Sequence, residues 1–158
     1  MSNEWIIRPA TGHDLAFIYD SWKTSYRLGS YFGKSFRRFN KNYQGYDRVI
    51  DWILTRPLTK ILVACSREEQ FVVFGYIVYQ EDYLHYAFVK KSFRNLGIFN
   101  SLFKEAERPY NFSHRTQHFE PVSKKKELNY DPFILMRGQH GQDTDTSDDN
   151  EPVYFGNA

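Results

Sequence analysis

Hydrophobic and polar positions recur along the chain with two different periods, which together predict three helices and six strands. Apolar residues at helical spacing form one face in residues 15–26, a second in residues 46–56, and a third at Leu96, Phe99, Leu102, Phe103 and Ala106. Strand-like runs cover residues 4–8, 61–65, 71–79, 83–89, 111–119 (a polar strand or loop) and 133–136. This order predicts an α+β domain, with a mostly antiparallel sheet and helices on both faces.

Residues 83–103 join a strand to a helix through a basic turn, and the other elements are predicted to form around this stretch. The alternating run from Tyr83 to Val89 is followed by Lys90 and Lys91, and a helix is expected to open at Arg94. The first turn of a helix leaves backbone N–H groups unpaired at its positive end, where an anion such as a phosphate binds. The stretch therefore predicts an anion site.

The segment from Arg27 to Tyr46 has basic and aromatic residues interleaved, three glycines and no acid. A connection this long without a clear period is often functional. It is either a lid over a substrate site or a binding surface, and its composition also suits phosphate contact and base stacking with single-stranded nucleic acid. The alternative is a loop folded over one sheet face. The candidate substrate-contacting residues are Tyr31, Arg37, Arg38 and Tyr43.

Charge is distributed unevenly between the body of the chain and its last 20 residues. The chain has 21 Lys and Arg against 19 Asp and Glu, and five of those acids but no Lys or Arg lie in residues 139–158, so residues 1–138 carry a net charge of +7. We expect one folded domain in residues 1–138 and a flexible acidic tail in residues 139–158 unless a partner orders it. The basic domain favours an anionic partner.

The apolar content is that of a water-soluble protein. No run of about 18 apolar residues occurs, and the first residues do not have the pattern of a secretory signal. The single cysteine, Cys65, lies in the apolar run ILVAC, which predicts a buried strand residue and excludes an internal disulfide framework. We therefore expect a soluble cytoplasmic protein without a membrane partner.

Four phrases of the sequence resemble members of the GNAT acyl-CoA N-acyltransferase superfamily, and in particular the GNAT-like proteins encoded by bacteriophages. They are IRPAT with an acidic residue after it, SWKTSYR, GYIVY and LHYAFVKKSFRNLGIF, and the resemblance covers residues 4 to about 136. The most specific element is the family's acyl-CoA turn, a Gln or Arg, two residues, Gly, one residue, then Gly or Ala. Arg94 and Gly97 match it, and Phe99 stands at the last position.

The resemblance implies acetyl-CoA as cofactor, with its pyrophosphate on the backbone N–H groups of the turn and its pantetheine arm along Tyr86 to Val89. Phe99 would either crowd the phosphate or point into the core. The implied cofactor-binding residues are Phe88, Val89, Lys90, Lys91, Arg94, Asn95, Leu96, Gly97, Ile98 and Phe99.

Acetyl transfer to an amine needs a base for the ammonium and an acid for the departing thiolate. By the resemblance, His85 on the fourth strand is the candidate base, and Tyr130 or Tyr110 is the candidate acid. The structural alternative for His85 is a histidine hydrogen-bonded across strands. His114 and His118 lie four residues apart but have no third ligand in register, so we predict no metal site.

Two functional hypotheses follow. The first is a GNAT-fold N-acetyltransferase that transfers acetyl from acetyl-CoA to a small-molecule or protein amine. The second is a catalytically inactive GNAT-like protein, either a phage structural protein in the virion or one that binds a host component; the exposed-looking aromatics of the loop favour it as interface anchors. Nucleic-acid binding through the basic loop is a third, weaker alternative. The sequence leaves the acyl acceptor and the oligomeric state open.

Overall fold

The computed structural model describes residues 4–29 and 40–133, with the backbone alone for residues 40–44. Six strands and four α-helices occur within these ranges. The strands are β1 (Trp5–Pro9), β2 (Lys60–Ser66), β3 (Val73–Gln80), β4 (Tyr83–Val89), β5 (Asn111–Phe112) and β6 (Asn129–Tyr130). The α-helices are α1 (Leu15–Gly29), α2 (Asn40–Leu54), α3 (Ile98–Glu105) and α4 (Glu120–Lys125), and short 3-10 turns lie at Gly12–Asp14 and Lys91–Phe93.

The six strands form one mixed sheet in which the spatial order follows the chain order. Strands β1 to β4 are antiparallel neighbours, whereas β5 runs parallel to β4 and β6 runs parallel to β5. A parallel pair needs a crossover between its strands, and α3 supplies it between β4 and β5. The predicted α+β class and mostly antiparallel sheet are confirmed.

Each face of the sheet has its own hydrophobic core. Helices α1 and α2 cover one face, where Ile18, Trp22, Ile50 and Ile53 pack against buried strand residues such as Tyr76. Helix α3 covers the other face, with its buried residues packed against Ala64, Ile77, Leu84 and Phe112 among others. Alternate strand residues point to opposite faces, so the mixed aromatic and aliphatic pattern of β3 and β4 supplies both cores. Cys65 is fully buried in β2 and has a free thiol, as predicted.

Several element boundaries differ from those predicted. Helix α2 begins at Asn40 instead of the predicted residue 46. The prediction missed its first turns because they are mostly polar and carry no apolar stripe. Helix α4 is not among the three helices predicted, although its start shows the Pro near the first position that is typical of helices. Of residues 111–119, predicted as a polar strand or loop, only Asn111–Phe112 form a strand. Most of the strand predicted at 133–136 lies outside the described residues.

No helix in the described part of the chain is long and apolar enough to cross a membrane.

Candidate functional site

Strands β4 and β5 separate soon after they begin to pair. Their parallel register joins Tyr83 to Asn111 and Leu84 to Phe112, and the Ser113 N–H donates to the Leu84 carbonyl at 3.1 Å. Strand β4 continues to Val89 with β3 on its other side. A cleft of about 420 Å³ opens along the edge of β4 that β5 has left.

A β-bulge in β4 marks the start of this separation. Val78 of β3 pairs with Tyr86 and Tyr79 pairs with Leu84, so His85 is an extra residue on β4. Bulges bend a strand, increase its local twist and re-aim a side chain, and they are frequent next to active sites. The bulge places His85 at the point where the two strands diverge.

The outer end of the cleft is the turn that connects β4 to α3. Helix α3 begins at Ile98 instead of the predicted Arg94, because Gly97 has a φ of 84° and Asn95 a φ of 64°, in the left-handed region that interrupts a helix. The Arg94 Nε donates to the Val89 carbonyl at 3.0 Å and so holds the turn against the end of β4. In the described part of the chain, the backbone N–H groups of residues 95–100 have no backbone carbonyl partner. They form a concentrated set of free donors at a helix N-terminus.

The opposite wall of the cleft comes from the segment that follows β5 and from α4. Its residues are Thr116, His118, Phe119, Val122, Lys125 and Lys126. Phe99 lies against this wall, with its ring centroid 5.7 Å from that of Phe103 and 5.9 Å from that of Phe119. Phe99 is half-buried and packs against the core under α3. A large side chain at this position therefore packs between α3 and the opposite wall.

Positive charge lies on the opposite wall of the cleft, at Lys125 and Lys126. A second groove of about 660 Å³ shares these two lysines and also contains Lys104 and Arg108, which lie at the C-terminal end of α3 and beyond it. The Lys126 Nζ lies 4.8 Å from the centroid of the Phe103 ring, within cation–π distance. Clustered cations next to free helix N–H donors favour an anionic ligand with more than one phosphate.

Three buried polar side chains are hydrogen-bonded in a row behind the inner end of the cleft. The His85 Nδ1 lies 3.2 Å from the Ser113 Oγ, which lies 2.9 Å from the His114 Nδ1. Burial lowers the pKa of His85 to about 4, and the positive charge of Arg56 acts in the same direction. Burial lowers the pKa of His114 to about 3; His85 adds to this effect, while a hydrogen bond to the His85 backbone opposes it. Both imidazoles are therefore neutral at neutral pH.

Aromatic rings enclose the His114 side chain. Four ring centroids lie within 6.0 Å of its own, those of Trp22, Tyr26, Tyr46 and Tyr86. Two of these rings are tied together, because the Trp22 Nε1–H donates to the Tyr46 hydroxyl at 2.9 Å. The Tyr86 hydroxyl lies 2.6 Å from the Ser25 Oγ, and burial raises its pKa. The enclosure explains why His114 is so strongly desolvated.

The cleft includes most but not all of the residues predicted to bind a cofactor. The predicted residues that line it are Phe88, Val89, Arg94, Asn95, Gly97, Ile98 and Phe99. Lys90, Lys91 and Leu96 are not among its lining residues, and the Lys90 Nζ instead lies 4.9 Å from the centroid of the Phe17 ring. Assignment of these residues to a cofactor stays a prediction.

The predicted catalytic residues are separated in space. None of the three lines the cleft: His85 lines a small cavity behind its inner wall, and Tyr110 and Tyr130 lie elsewhere. Tyr110 is 72% exposed beside the second groove. Tyr130 packs against Phe112, at 5.2 Å between ring centroids. Their roles as acids stay predictions. Of the substrate-contacting residues, Tyr31, Arg37 and Arg38 lie outside the described residues, and Tyr43 is described only as helical backbone of α2.

Several residues of the site were not anticipated. Ser25 comes from α1, Ser113 follows β5, and Thr116, Phe119 and Val122 come from the segment that ends in α4. Pro121 at the helix start, with lysines in the last turn, was a usable signal for α4. No local signal marks Ser113, because its partner His85 lies 28 residues away in the sequence. No group of His, Cys, Asp and Glu side chains in the described ranges could hold a metal ion.

Comparison with known proteins supports the fold and gives no closer relationship. No family model matches the chain, and no curated protein matches it in sequence. Among solved structures, the candidate acetyltransferase YycN from Bacillus subtilis is similar at a TM-score of 0.54 and 12% identity, over 95% of this chain and 99% of that one.

Two further similar structures have lower TM-scores, which are too low to carry an argument. One is a ribosomal-protein-alanine N-acetyltransferase from Brucella melitensis biovar Abortus 2308, at a TM-score of 0.45 and 11% identity over 95% of this chain and 98% of that one. The other is aminoglycoside N-acetyltransferase AAC(6')-Iy in complex with CoA, at a TM-score of 0.44 and 14% identity over 100% of this chain and 98% of that one. None of these similarities indicates a bacteriophage connection. The six-stranded mixed sheet with its helices, together with the similarity to YycN, shows that the chain has a GNAT-like α+β fold.

Proposed function

We propose that the chain is an N-acetyltransferase that uses acetyl-CoA as acetyl donor and an amine as acceptor. The observation that carries this proposal is the cleft itself. It runs along the unpaired edge of β4, has the buried His85 behind its inner wall, and ends at a helix N-terminus that faces a wall with Lys125 and Lys126. An elongated ligand with an acyl group at one end and phosphates at the other matches these features in order.

The residues present fit such a ligand. The free N–H groups of residues 95–100 would hold the pyrophosphate, while Lys125 and Lys126 would approach it from the opposite wall. The edge of β4 from Tyr86 to Val89 would pair with the amide groups of the pantetheine arm, as an added strand does. Bound acetyl-CoA would supply a thioester whose carbonyl carbon an amine attacks.

His85 is the proposed proton acceptor for the incoming amine. Its low pKa keeps the imidazole neutral at neutral pH, which leaves a lone pair to accept a proton but makes the group a weak base. The same low pKa limits which amines it can serve. Proton transfer from an alkylammonium with a pKa of ~10.4 to a group of pKa about 4 costs ~9 kcal/mol, whereas transfer from an α-ammonium of pKa ~7.8 costs ~5 kcal/mol. We therefore propose an acceptor amine of low basicity.

The net charge of residues 1–138 also restricts which acceptor amines can approach the site. Residues 1–138 carry a net charge of +7, so a polyamine or a lysine-rich peptide would be repelled on approach. A neutral or acidic acceptor, such as the α-amine of an uncharged or acidic peptide, avoids this cost. We propose that class as the acceptor.

Isothermal titration calorimetry with acetyl-CoA tests the cofactor part of the proposal. We expect saturable binding, and we expect Arg94→Ala to weaken it by about tenfold, since the variant loses both a positive charge and the contact that holds the turn. Arg48→Ala is the matched control because Arg48 is exposed on α2 and does not line the cleft. Absence of binding at millimolar acetyl-CoA, or equal effects of the two variants, would contradict the proposal.

A panel of amines tests the catalytic part. The protein with acetyl-CoA should release free thiol faster with an α-amine peptide than with a lysine side chain of equal concentration. The non-enzymatic hypothesis predicts binding without release for every amine. No observation in the described part of the chain favours a virion role, and the comparisons lend it no support.

A further inference from the structure

Ser113 is hydrogen-bonded to two histidines at once, and this restricts where the protons lie. A serine hydroxyl has a single proton, so it can donate to only one of the two imidazoles. The other imidazole must then donate a ring N–H to the Ser113 Oγ. Contacts in which a hydroxyl donates are shorter than those in which a nitrogen donates.

The two distances indicate which atom donates in each hydrogen bond. The contact from Ser113 Oγ to His114 Nδ1 measures 2.9 Å, and that from His85 Nδ1 to Ser113 Oγ measures 3.2 Å. The shorter contact fits a hydroxyl that donates to His114. The longer contact then has the His85 Nδ1–H as donor. In a neutral His85 this leaves Nε2 without a proton.

The Nε2 atom of His85 is buried and has no hydrogen-bond partner. His85 is one of the residues that line a cavity of about 10 Å³, together with Leu84, Phe112 and His114 among others. That volume is close to the lower limit for one water molecule. Four residues line both this cavity and the cleft, namely Tyr86, Ala87, Thr116 and Phe119. The cavity therefore lies directly behind the inner wall of the cleft.

We infer that Ser113 and His114 are positioning residues that hold His85 in the tautomer protonated on Nδ1, so that Nε2 offers its lone pair to a single water in this cavity. The inference rests on the proposed function and adds the route of the proton to it. Through that water, His85 takes one proton from the acceptor ammonium. The neutral amine then forms a C–N bond with the acetyl carbon as the C–S bond breaks. The second proton of the nitrogen goes to the departing thiolate, and His85 later releases its proton to solvent.

The tautomer of His85 can be measured without any activity. Protein with isotope-labelled histidine is examined by two-bond proton–nitrogen correlation spectra at neutral pH, with assignment by single substitutions. We expect a bare Nε2 and a protonated Nδ1 for His85, and a bare Nδ1 for His114. A protonated Nε2 on His85 would overturn the inference, whether or not the protein binds acetyl-CoA.

Substitution of Ser113 gives a second, kinetic readout. We expect Ser113→Ala to lower kcat by roughly 10- to 100-fold, less than the loss of ~10²- to 10⁴-fold expected for His85→Gln, with KM for acetyl-CoA unchanged. Ser113→Thr keeps a hydroxyl and should recover most of the rate. Ser123→Ala is the matched control, because Ser123 is 5% exposed against 6% for Ser113 and its hydroxyl donates to the Glu120 carbonyl.

The outcomes separate the two proposals. If acetyl-CoA binds and acetyl is transferred, but Ser113→Ala keeps the wild-type kcat and His85 tautomer, the inference fails and the proposed function stands. If no acetyl transfer occurs while the spectra show the expected tautomer, the proton arrangement stands and its assigned use fails. If Ser113→Ala does not fold, the tautomer of the wild-type protein decides alone.

Discussion

The two buried histidines predict that the fold loses stability in mild acid, well above the pH at which carboxylates are protonated. Their folded-state pKa values, about 4 for His85 and about 3 for His114, lie below the ~6.5 of an unfolded histidine. The unfolded chain therefore binds more protons between these limits. The two histidines leave the free energy of unfolding unchanged above pH 7 and lower it as the pH drops from 6.5 towards 4.

The size of this effect follows from the same pKa values. At pH 5 the unfolded state gains about 2 kcal/mol from each histidine relative to the folded state, or about 4 kcal/mol together if the two act independently. Native domains have only about 5–15 kcal/mol in total. The lowered pKa of Asp14, which its contact with Arg8 produces, does not affect this window, because that carboxylate contributes to stability above ~3.9 and loses it only below.

Urea denaturation followed by tryptophan fluorescence at pH 8, 6.5 and 5 measures the effect. With a slope of about 2 kcal/mol per molar urea, the midpoint should fall by about 2 M between pH 8 and pH 5. His114→Asn should remove about half of that pH dependence, whatever its effect on stability at pH 8. His13→Gln, which removes an exposed imidazole, should leave it unchanged. A midpoint independent of pH in the wild-type protein would refute the reasoning.

Three substitutions test the packing. Gly75→Ala should destabilise the fold by about 2 kcal/mol, because its Cβ would lie 2.7 Å from the Phe88 carbonyl oxygen; urea unfolding checks this, and a neutral result would mean that β4 yields easily. Gly45→Ala should raise stability by about 1 kcal/mol, since Gly45 is exposed in α2 with nothing within 4 Å of an added Cβ, and a lower thermal midpoint would contradict this. Trp22→Phe should lower the free energy of unfolding by about 2–4 kcal/mol, because it leaves the buried Tyr46 hydroxyl without the donor that lies 2.9 Å away. Unfolding followed by circular dichroism measures this, and a loss under about 0.5 kcal/mol would show that the hydrogen bond is dispensable.

The fold class could be predicted because its main elements have a clear period. The stripe on α1 and the apolar runs of β2, β3 and β4 are long enough to identify the elements and their order. Shorter elements lack that information. Strands β5 and β6 have two residues each and α4 has six, so tertiary contacts rather than local pattern define them.

The candidate site could be predicted only along one wall. The turn from β4 to α3 is continuous in sequence, and its glycine and basic residues mark it. The start of α3 was placed too early, because no sequence pattern shows that Asn95 adopts a left-handed conformation. The opposite wall and the contact between His85 and Ser113 come from long-range folding, for which one sequence contains no local signal.

The bulge at His85 divides β4 into two halves whose side chains are out of phase. Before it, Leu84 faces the core under α3; after it, Tyr86 faces the core under α1 and α2, and Ala87 faces α3 again. Without the inserted residue, Tyr86 would follow Leu84 in a regular ladder and would keep its partner and its face. If His85 were instead paired as an ordinary strand residue, each later side chain would exchange faces, since the side-chain period is two. The faces of the second half of β4 therefore depend on the bulge itself, and a substitution that removed the bulge would misplace every later side chain of the strand.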